Sequence, residues 1–283
     1  MNETEIAWTQ VTWNPASGCE EESEGCKYCY AKTLAENKRG TKAFPNGFDL
    51  TIRPHKLNEP RKLKDPSLIF VNSMSDLFWE EIPDNYRDQV LDVIEDTPRH
   101  QYQVLTKRAP GLLAYSKRRK LPSNFWAGTT IENQRNINRL DILKEVEAEI
   151  RFISMEPLLG PIQCDMSGIQ WVITGGESGL HLSHESICEK RALVRYVDRK
   201  CVVREDRMSW VRDIRDECAR VGCAFFHKQW GGHRPTSGGR ILDGRTYDEF
   251  PRLPAEGAFN KKLSKADIVN ASSSSSNSQM ALV

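Results

Sequence analysis

The sequence predicts an α/β fold, a partial TIM-type (βα) barrel with about six to seven parallel strands. Three observations support this fold. The apolar runs are short and rich in β-branched residues, helical patterns separate most of them, and the 283-residue chain repeats this alternation in one continuous series. A doubly wound open sheet has the same alternation, so periodicity leaves both topologies open.

The predicted strands are short runs of β-branched and aromatic residues. The first leads straight into a cysteine-rich segment, and the second (LIFVNSM) is continuously apolar at its start, as expected of a strand buried on both faces. In chain order we predict strands at 11–14, 68–74, 102–106, 125–129, 150–155, 170–174 and 224–227.

The predicted helices have apolar residues at helical spacing. Tyr86, Val90 and Val93 share one face, and Leu140 and Leu143 share another. Gly222 has the position of a C-terminal cap. We predict helices at 30–37, 84–97, 112–117, 132–143 and 209–221.

Two regions differ from this alternation. Residues 1–260 are expected to form a single barrel domain, with a highly charged insertion over one rim at about 180–206. Cys188 and Cys201 lie in this insertion and could bind a second metal. Residues 261–283 form a serine-rich tail, whose composition predicts disorder.

Composition predicts a cytoplasmic protein. The N-terminus is acidic and polar, unlike a secretory signal, and no apolar run approaches the roughly 18–20 residues of a membrane span. The formal net charge of +1 gives no overall attraction to nucleic acid or membrane. In a reducing compartment, the 8 cysteines are expected to be core residues or metal ligands rather than disulfides.

Three cysteines are clustered directly after the first predicted strand. Cys19, Cys26 and Cys29 have the spacing C-x6-C-x2-C. Three thiolates can hold three irons of a 4Fe-4S cluster and leave the fourth iron open to a substrate or cofactor, whereas ferredoxin-type clusters use four cysteines. The spacing therefore favours an iron–sulfur site.

A zinc knuckle is the alternative. Structural zinc sites usually have four ligands. The nearest histidine, His55, is distant in sequence, and there is no second C-x2-C pair.

The cysteine motif resembles that of the radical SAM superfamily, in which three cysteines follow the first barrel strand, usually as C-x3-C-x2-C with an aromatic residue before the last. Tyr28 provides that aromatic residue, but the first spacing is longer here. Over residues 6–232 the chain resembles more closely a phage-associated, radical SAM-like family of unknown function, distantly similar to spore photoproduct lyase-like enzymes. The motifs that carry this resemblance are Trp13-Asn14-Pro15, Gly18-Cys19, Gly25-Cys26-Lys27-Tyr28-Cys29-Tyr30-Ala31, Asn72-Ser73-Met74-Ser75-Asp76-Leu77-Phe78, Leu105-Thr106-Lys107-Arg108, Ser154-Met155-Glu156-Pro157-Leu158, Gly175-Gly176-Glu177-Ser178-Gly179 and Phe226-His227-Lys228-Gln229-Trp230-Gly231.

The resemblance implies a 4Fe-4S cluster that binds S-adenosylmethionine. One electron, from a donor such as flavodoxin or ferredoxin, would cleave it to methionine and a 5′-deoxyadenosyl radical, which abstracts a hydrogen from the substrate. The chain departs from the family pattern after Gly179, where the charged insertion begins.

Polar residues follow five of the predicted strands, at the end where βα-barrel enzymes place their working groups. We assign Glu156 to the ribose hydroxyls or the methionine amine of the cofactor, because a carboxylate after an apolar strand needs a partner. The residues that we expect to bind the cofactor are Ser73, Ser75, Asp76, Thr129, Glu132, Glu156, Gly175, Gly176 and Glu177. Ordinary helix caps and a tight turn are the alternative explanation for several of them.

Three basic residues are candidates for binding an anionic substrate: Lys107, Arg108 and Lys228. Trp230 could stack on a base or cover the barrel edge. Together with the basic segments 53–56, 61–64 and 117–120, they make a nucleotide or nucleic acid the expected substrate. A peptide is the alternative substrate, and a non-catalytic zinc- or cluster-binding module is the alternative function. The Gly-x-Ser-x-Gly and His-Glu-x-x-His motifs of hydrolases are absent.

Overall fold

The computed structural model describes residues 1–198 and 200–251. Its strands are β1 (Asn2–Glu3), β2 (Val11–Trp13), β3 (Ala16–Ser17), β4 (Thr51–Ile52), β5 (Leu68–Val71), β6 (Gln101–Thr106), β7 (Phe125–Thr130), β8 (Ile150–Met155), β9 (Trp171–Gly175), β10 (Val194–Val197), β11 (Lys200–Val203) and β12 (Ala224–Gln229). Its α-helices are α1 (Tyr30–Glu36), α2 (Glu59–Lys62), α3 (Asp84–Glu95), α4 (Ala109–Arg118), α5 (Asn138–Lys144), α6 (Glu185–Arg191) and α7 (Glu205–Val221).

One eight-stranded sheet organises the described chain, in the order β1-β2-β5-β6-β7-β8-β9-β12. From β2 to β12 all neighbours are parallel, and β1 adds an antiparallel edge to β2. The seven parallel strands follow chain order and curl into a half-barrel. This topology confirms the predicted partial TIM-type barrel, since a doubly wound sheet would reverse its strand order.

The sheet is covered on both faces. Alternate strand residues such as Val104, Ile153 and Val172 belong to the large outer core, which also contains apolar residues of the helices. The intervening residues belong to a second, aromatic cluster. That cluster contains Trp8, Phe70, Trp126, Phe152, Trp171 and Phe226. Burial on both faces explains why these strands are almost continuously apolar.

Several predicted boundaries needed correction. The helix predicted at 132–143 begins only at Asn138, because Asn133 accepts a hydrogen bond from the backbone N–H of Arg135 and caps a separate 3₁₀ turn at Gln134–Asn136. The helix predicted from residue 209 begins at Glu205, which places an acidic first turn at its positive end. Gly222 follows it in the left-handed conformation, as predicted.

The charged region after Gly179 contains a 3₁₀ turn (Leu180–Ser183), α6 and the antiparallel hairpin β10–β11. The sequence analysis did not predict this hairpin, because its strands are short, contain Arg195 and Lys200, and leave most of their residues partly or fully exposed. The serine-rich segment 261–283 lies outside the described residues. Across 1–198 and 200–251, the helices are all too short or too polar to cross a membrane.

Candidate metal centre

The cysteine loop leaves the carboxyl end of β2 through a constrained glycine. Gly18 has φ +93°, and a Cβ atom there would lie 2.4 Å from the carbonyl oxygen of Asp49. Its N–H donates to the Met74 carbonyl at 2.9 Å, and the Ser75 hydroxyl donates to the Gly18 carbonyl at 2.7 Å. The loop after β5 therefore fixes the chain direction just before Cys19.

The three cysteines lie along the next eleven residues as free, half-buried thiols. Cys26 ends a 3₁₀ turn (Glu24–Cys26), and the N–H of Cys29 donates to the Cys26 carbonyl at 3.1 Å. Cys29 is the N-cap residue of α1. Burial, and then Asp76, raise the pKa of the Cys19 thiol to about 11, while Arg108 opposes this shift.

Three thiols in one loop are the type of donor that holds an iron–sulfur cluster. Within 1–198 and 200–251, no group of three or more His, Cys, Asp and Glu side chains surrounds one ion position. In a cluster each thiolate bonds to a different iron, so its three sulfurs need not converge on one point. Cys19, Cys26 and Cys29 therefore suit a cluster with one open iron.

Glu132 holds the first half of the cysteine loop. Its fully buried carboxylate accepts hydrogen bonds from the Ser23 hydroxyl and, at 2.9 Å, from the Asn136 amide. Arg139 lies 3.1 Å away and balances its charge. A Cβ atom on Gly25 would lie 2.6 Å from this carboxylate, so a larger residue there would displace the Glu132 side chain.

Glu177 holds the second half through Arg191. The buried guanidinium of Arg191 binds both Glu177 oxygens at 2.6 Å and donates to the Glu24 carbonyl at 3.1 Å. It also lies over the Tyr28 ring, 5.0 Å from its centroid. His181 stacks on Tyr28, with ring centroids 4.0 Å apart. The charged insertion thus contacts the cysteine loop directly.

Arg108 contacts the first cysteine. Its Nη1 lies 3.5 Å from the Cys19 sulfur, and its Nη2 donates to the Glu20 carbonyl at 3.3 Å. Asp76, at 3.5 Å, is its buried counter-ion. The guanidinium that the sequence suggested for an anionic substrate therefore lies against a cysteine and a carboxylate.

Glu156 lies at the carboxyl end of β8, beside the aromatic cluster. Lys228 is 2.9 Å from one carboxylate oxygen, and the Trp8 indole N–H donates to the other at 3.2 Å. The Ser154 hydroxyl also donates to that oxygen, at 3.3 Å. A Cβ atom on Gly175 would lie 2.5 Å from Glu156. The carboxylate that we assigned to the cofactor thus lies next to one of the predicted lysines.

The other predicted site residues make contacts within the protein. The Thr129 hydroxyl donates to the Thr106 carbonyl, and Ser73 exchanges hydrogen bonds with the Asn14 side chain. A Cβ atom on Gly176 would lie 2.0 Å from the Trp230 carbonyl. Trp230 is fully buried, and its indole N–H donates to the Ile241 carbonyl at 2.9 Å. Lys107 lies 3.8 Å from Glu132.

Sequence reasoning missed several residues around the site. Arg191 and His181 lie in the charged insertion, and Trp8 precedes the first predicted strand. Asn72 is buried, with neither amide atom hydrogen-bonded to any part of the chain that the structure describes. Asn72 could have been found from the pattern of polar residues at the strand ends. No local pattern indicates contacts between residues as distant in sequence as Glu24 and Arg191.

The sequence profile of the family described as "Protein of unknown function (DUF5131)" matches residues 3–251. The chain belongs to the DUF5131 family. This confirms the predicted membership of a family of unknown function. A comparison with curated proteins gives no match.

The fold of this DUF5131 protein is similar to that of spore photoproduct lyase. A lyase variant with dinucleoside spore photoproduct matches with a TM-score of 0.50 and 13% identity, covering 80% of this chain and 78% of the lyase chain. Another variant gives a TM-score of 0.50 at 12% identity over the same shares. A third, with bound AdoMet and dinucleoside spore photoproduct, gives a TM-score of 0.43 at 12% identity, covering 77% of this chain and 75% of the other. The likeness at 0.50 confirms the partial-barrel fold.

Proposed function

We propose that this DUF5131 protein is a radical SAM-type iron–sulfur enzyme. The observation that carries the proposal is the position of Cys19, Cys26 and Cys29. They lie in one loop at the carboxyl end of the first parallel strand, where βα-barrel enzymes assemble their active sites. Their free thiols supply three ligands and would leave one iron open.

When bound, a 4Fe-4S cluster with S-adenosylmethionine would supply a 5′-deoxyadenosyl radical, formed with methionine as one electron breaks a sulfonium C–S bond. A donor such as reduced flavodoxin or ferredoxin would provide that electron. The protein's part is to bind, orient and exclude water. Glu132 and Arg191 hold the cysteine loop, and Glu156 offers a half-buried carboxylate to the cofactor's hydroxyls or amine.

A nucleotide or nucleic acid is the substrate class that we propose. The fold similarity to a lyase solved with a dinucleoside supports testing this class first. Lys107 and Lys228 lie near Glu132 and Glu156 respectively, so either lysine would have to exchange a carboxylate for a phosphate. A peptide substrate would not need this exchange.

The test is anaerobic reconstitution with iron and sulfide, followed by reduction, addition of S-adenosylmethionine and assay of 5′-deoxyadenosine. We expect wild-type protein to form this product with a broad visible absorption from the cluster. Cys19→Ala, Cys26→Ala and Cys29→Ala should each abolish the product, because each removes one of only three iron ligands.

Cys164→Ala is the matched control, since Cys164 is also a free, half-buried cysteine but contacts Met166 instead of the loop. It should keep both cluster and product. A colourless wild-type protein that binds one zinc and forms no 5′-deoxyadenosine would overturn the proposal in favour of a zinc-binding module.

A further inference from the structure

Arg108 occupies an unusual position for a basic residue at a barrel rim. It is only 7% exposed, although it directly precedes α4. Nη1 lies 3.5 Å from the Cys19 sulfur, and Nη2 binds the carbonyl of the following residue, Glu20. A single guanidinium therefore contacts both the side chain and the adjoining backbone of the first cysteine.

Asp76 holds this guanidinium in place. Its carboxylate accepts hydrogen bonds from the Thr106 hydroxyl at 2.6 Å and from the backbone N–H of Lys107 at 2.9 Å. It also accepts from the N–H of Phe78 at 3.0 Å and lies 3.5 Å from Arg108. Because three donors bind it, the Asp76 carboxylate has a fixed orientation. Its ion pair with Arg108 therefore holds the guanidinium in place.

Further contacts keep Arg108 away from solvent. Its guanidinium lies over the Trp79 ring, 5.8 Å from the centroid. The carboxylates of Glu80 and Glu22 approach it at 3.4 Å and 3.6 Å. To bind an external anion, Arg108 would have to leave these partners. Its contact with the Cys19 sulfur is already present and requires no movement.

A donor at a ligating sulfur has a definite physical effect. The reduction potential of an iron–sulfur cluster depends on hydrogen bonds to its sulfurs, on local charge and on solvent exposure. Reduction adds negative charge, so a buried guanidinium beside one thiolate stabilises the reduced form relative to the oxidised form. Asp76 acts in the opposite direction, because its charge is negative.

We propose that Arg108 is a positioning residue that fixes Cys19 and raises the reduction potential of the cluster bound through it, with Asp76 as its orienting partner. This inference rests on the proposed iron–sulfur function and adds a role that the cysteine motif does not contain.

The test compares midpoint potentials of reconstituted wild-type, Arg108→Gln, Arg108→Lys and Arg118→Gln proteins by redox titration, with EPR detection of the reduced cluster. Arg108→Gln should lower the potential because it removes the guanidinium from Cys19, and Arg108→Lys should lower it less because it keeps the charge but not the planar set of donors. Arg118 is the last residue of α4, the helix that Arg108 precedes, and it pairs with Asp88. Arg118→Gln therefore removes an equal charge away from the cysteines and should have little effect.

Equal potentials in wild-type and Arg108→Gln proteins would overturn the inference but leave the proposed function intact. An equal shift in Arg118→Gln would also overturn it, because the effect would then be one of overall charge. If Arg108→Gln does not retain iron, the Arg108→Lys potential decides, and a potential equal to that of wild type contradicts the inference. A wild-type protein without a cluster would instead refute the proposed function itself.

Discussion

Three buried carboxylates around the cysteine loop are each paired with one arginine. The pairs are Asp76–Arg108, Glu132–Arg139 and Glu177–Arg191. Removing one member of a buried pair leaves an uncompensated charge and typically costs about 3–5 kcal/mol. Substitutions here therefore need charge-preserving or isosteric variants before any effect is assigned to chemistry.

His227 is a buried titratable residue outside the cysteine loop. It is fully buried in β12, and its Nδ1 lies 2.9 Å from the Thr174 hydroxyl. Burial, and then the charge of Arg240, lower its pKa to about 3. The imidazole is therefore neutral in the folded protein at any pH above this value.

His227 should make the protein acid-sensitive. In the unfolded chain its pKa is about 6.5, so between pH 6.5 and about 3 the unfolded state binds a proton that the folded state does not. Stability is fully present above pH 6.5 and falls as the pH decreases, by about 2 kcal/mol from this group at pH 5. Urea unfolding at pH 7 and pH 5 should show a smaller difference for His227→Asn than for wild type. Equal differences in the two proteins would contradict this assignment.

At the level of elements, α6 connects the charged insertion to the cysteine loop. Arg191 is its last residue and reaches Glu24, 167 positions earlier in the chain. Arg191 also pairs with the Glu24 carboxylate at 3.4 Å, but its bond to the Glu24 carbonyl restrains the loop whatever side chain occupies position 24. The insertion therefore acts as a brace for the cysteines.

Arg191→Gln should loosen this brace. Reconstituted protein should lose iron to a chelator several-fold faster, because Gln cannot bind both Glu177 oxygens and the Glu24 carbonyl together. Release of iron can be followed by the absorbance of the chelate. Arg195→Gln, at an exposed position of β10, is the control and should release iron at the wild-type rate. Equal rates for the two variants would refute the bracing role.

Prediction from sequence succeeded for elements with a strong local pattern. The seven parallel strands and α3 have apolar residues at strand or helix spacing, and the C-x6-C-x2-C loop followed directly from the chain. The strands of the hairpin β10–β11 are only four residues long and contain Arg195 and Lys200, so their local pattern was too weak to predict them. At the site, the strand-end carboxylates were found. Arg139 and Arg191 were not, and Arg108 was assigned to a substrate instead of to Asp76, because tertiary contacts determine these pairs.

Charge is distributed unevenly over the whole molecule. The net charge is only +1, but Glu20, Glu21 and Glu22 are exposed beside the cysteines. Phosphates approaching the cysteine loop would meet these carboxylates first. A nucleic-acid substrate would have to be held mainly by the basic segments and by base contacts.

Binding of a single-stranded oligonucleotide, measured by fluorescence anisotropy, tests the proposed substrate class. We expect binding at about 50 mM salt that weakens by about 200 mM, with a log–log slope of about −0.7 for each phosphate contacted. Lys228→Gln should reduce the slope more than Lys42→Gln, because Lys228 lies in β12 beside Glu156, whereas Lys42 is an exposed residue between α1 and β4. An absence of binding at the lower salt concentration would exclude a nucleic-acid substrate.

The bracing of the cysteine loop bears on how the site is assembled. Many small metal-binding modules are unfolded until the metal arrives, and ligand binding then has to offset the conformational entropy of ordering the chain. Here Gly18, Ser23 and Glu24 are already fixed by hydrogen bonds to Met74, Glu132 and Arg191. If the proposed iron–sulfur function holds, little backbone entropy is left to lose when iron is inserted. Iron would then enter a preformed site after the barrel has folded.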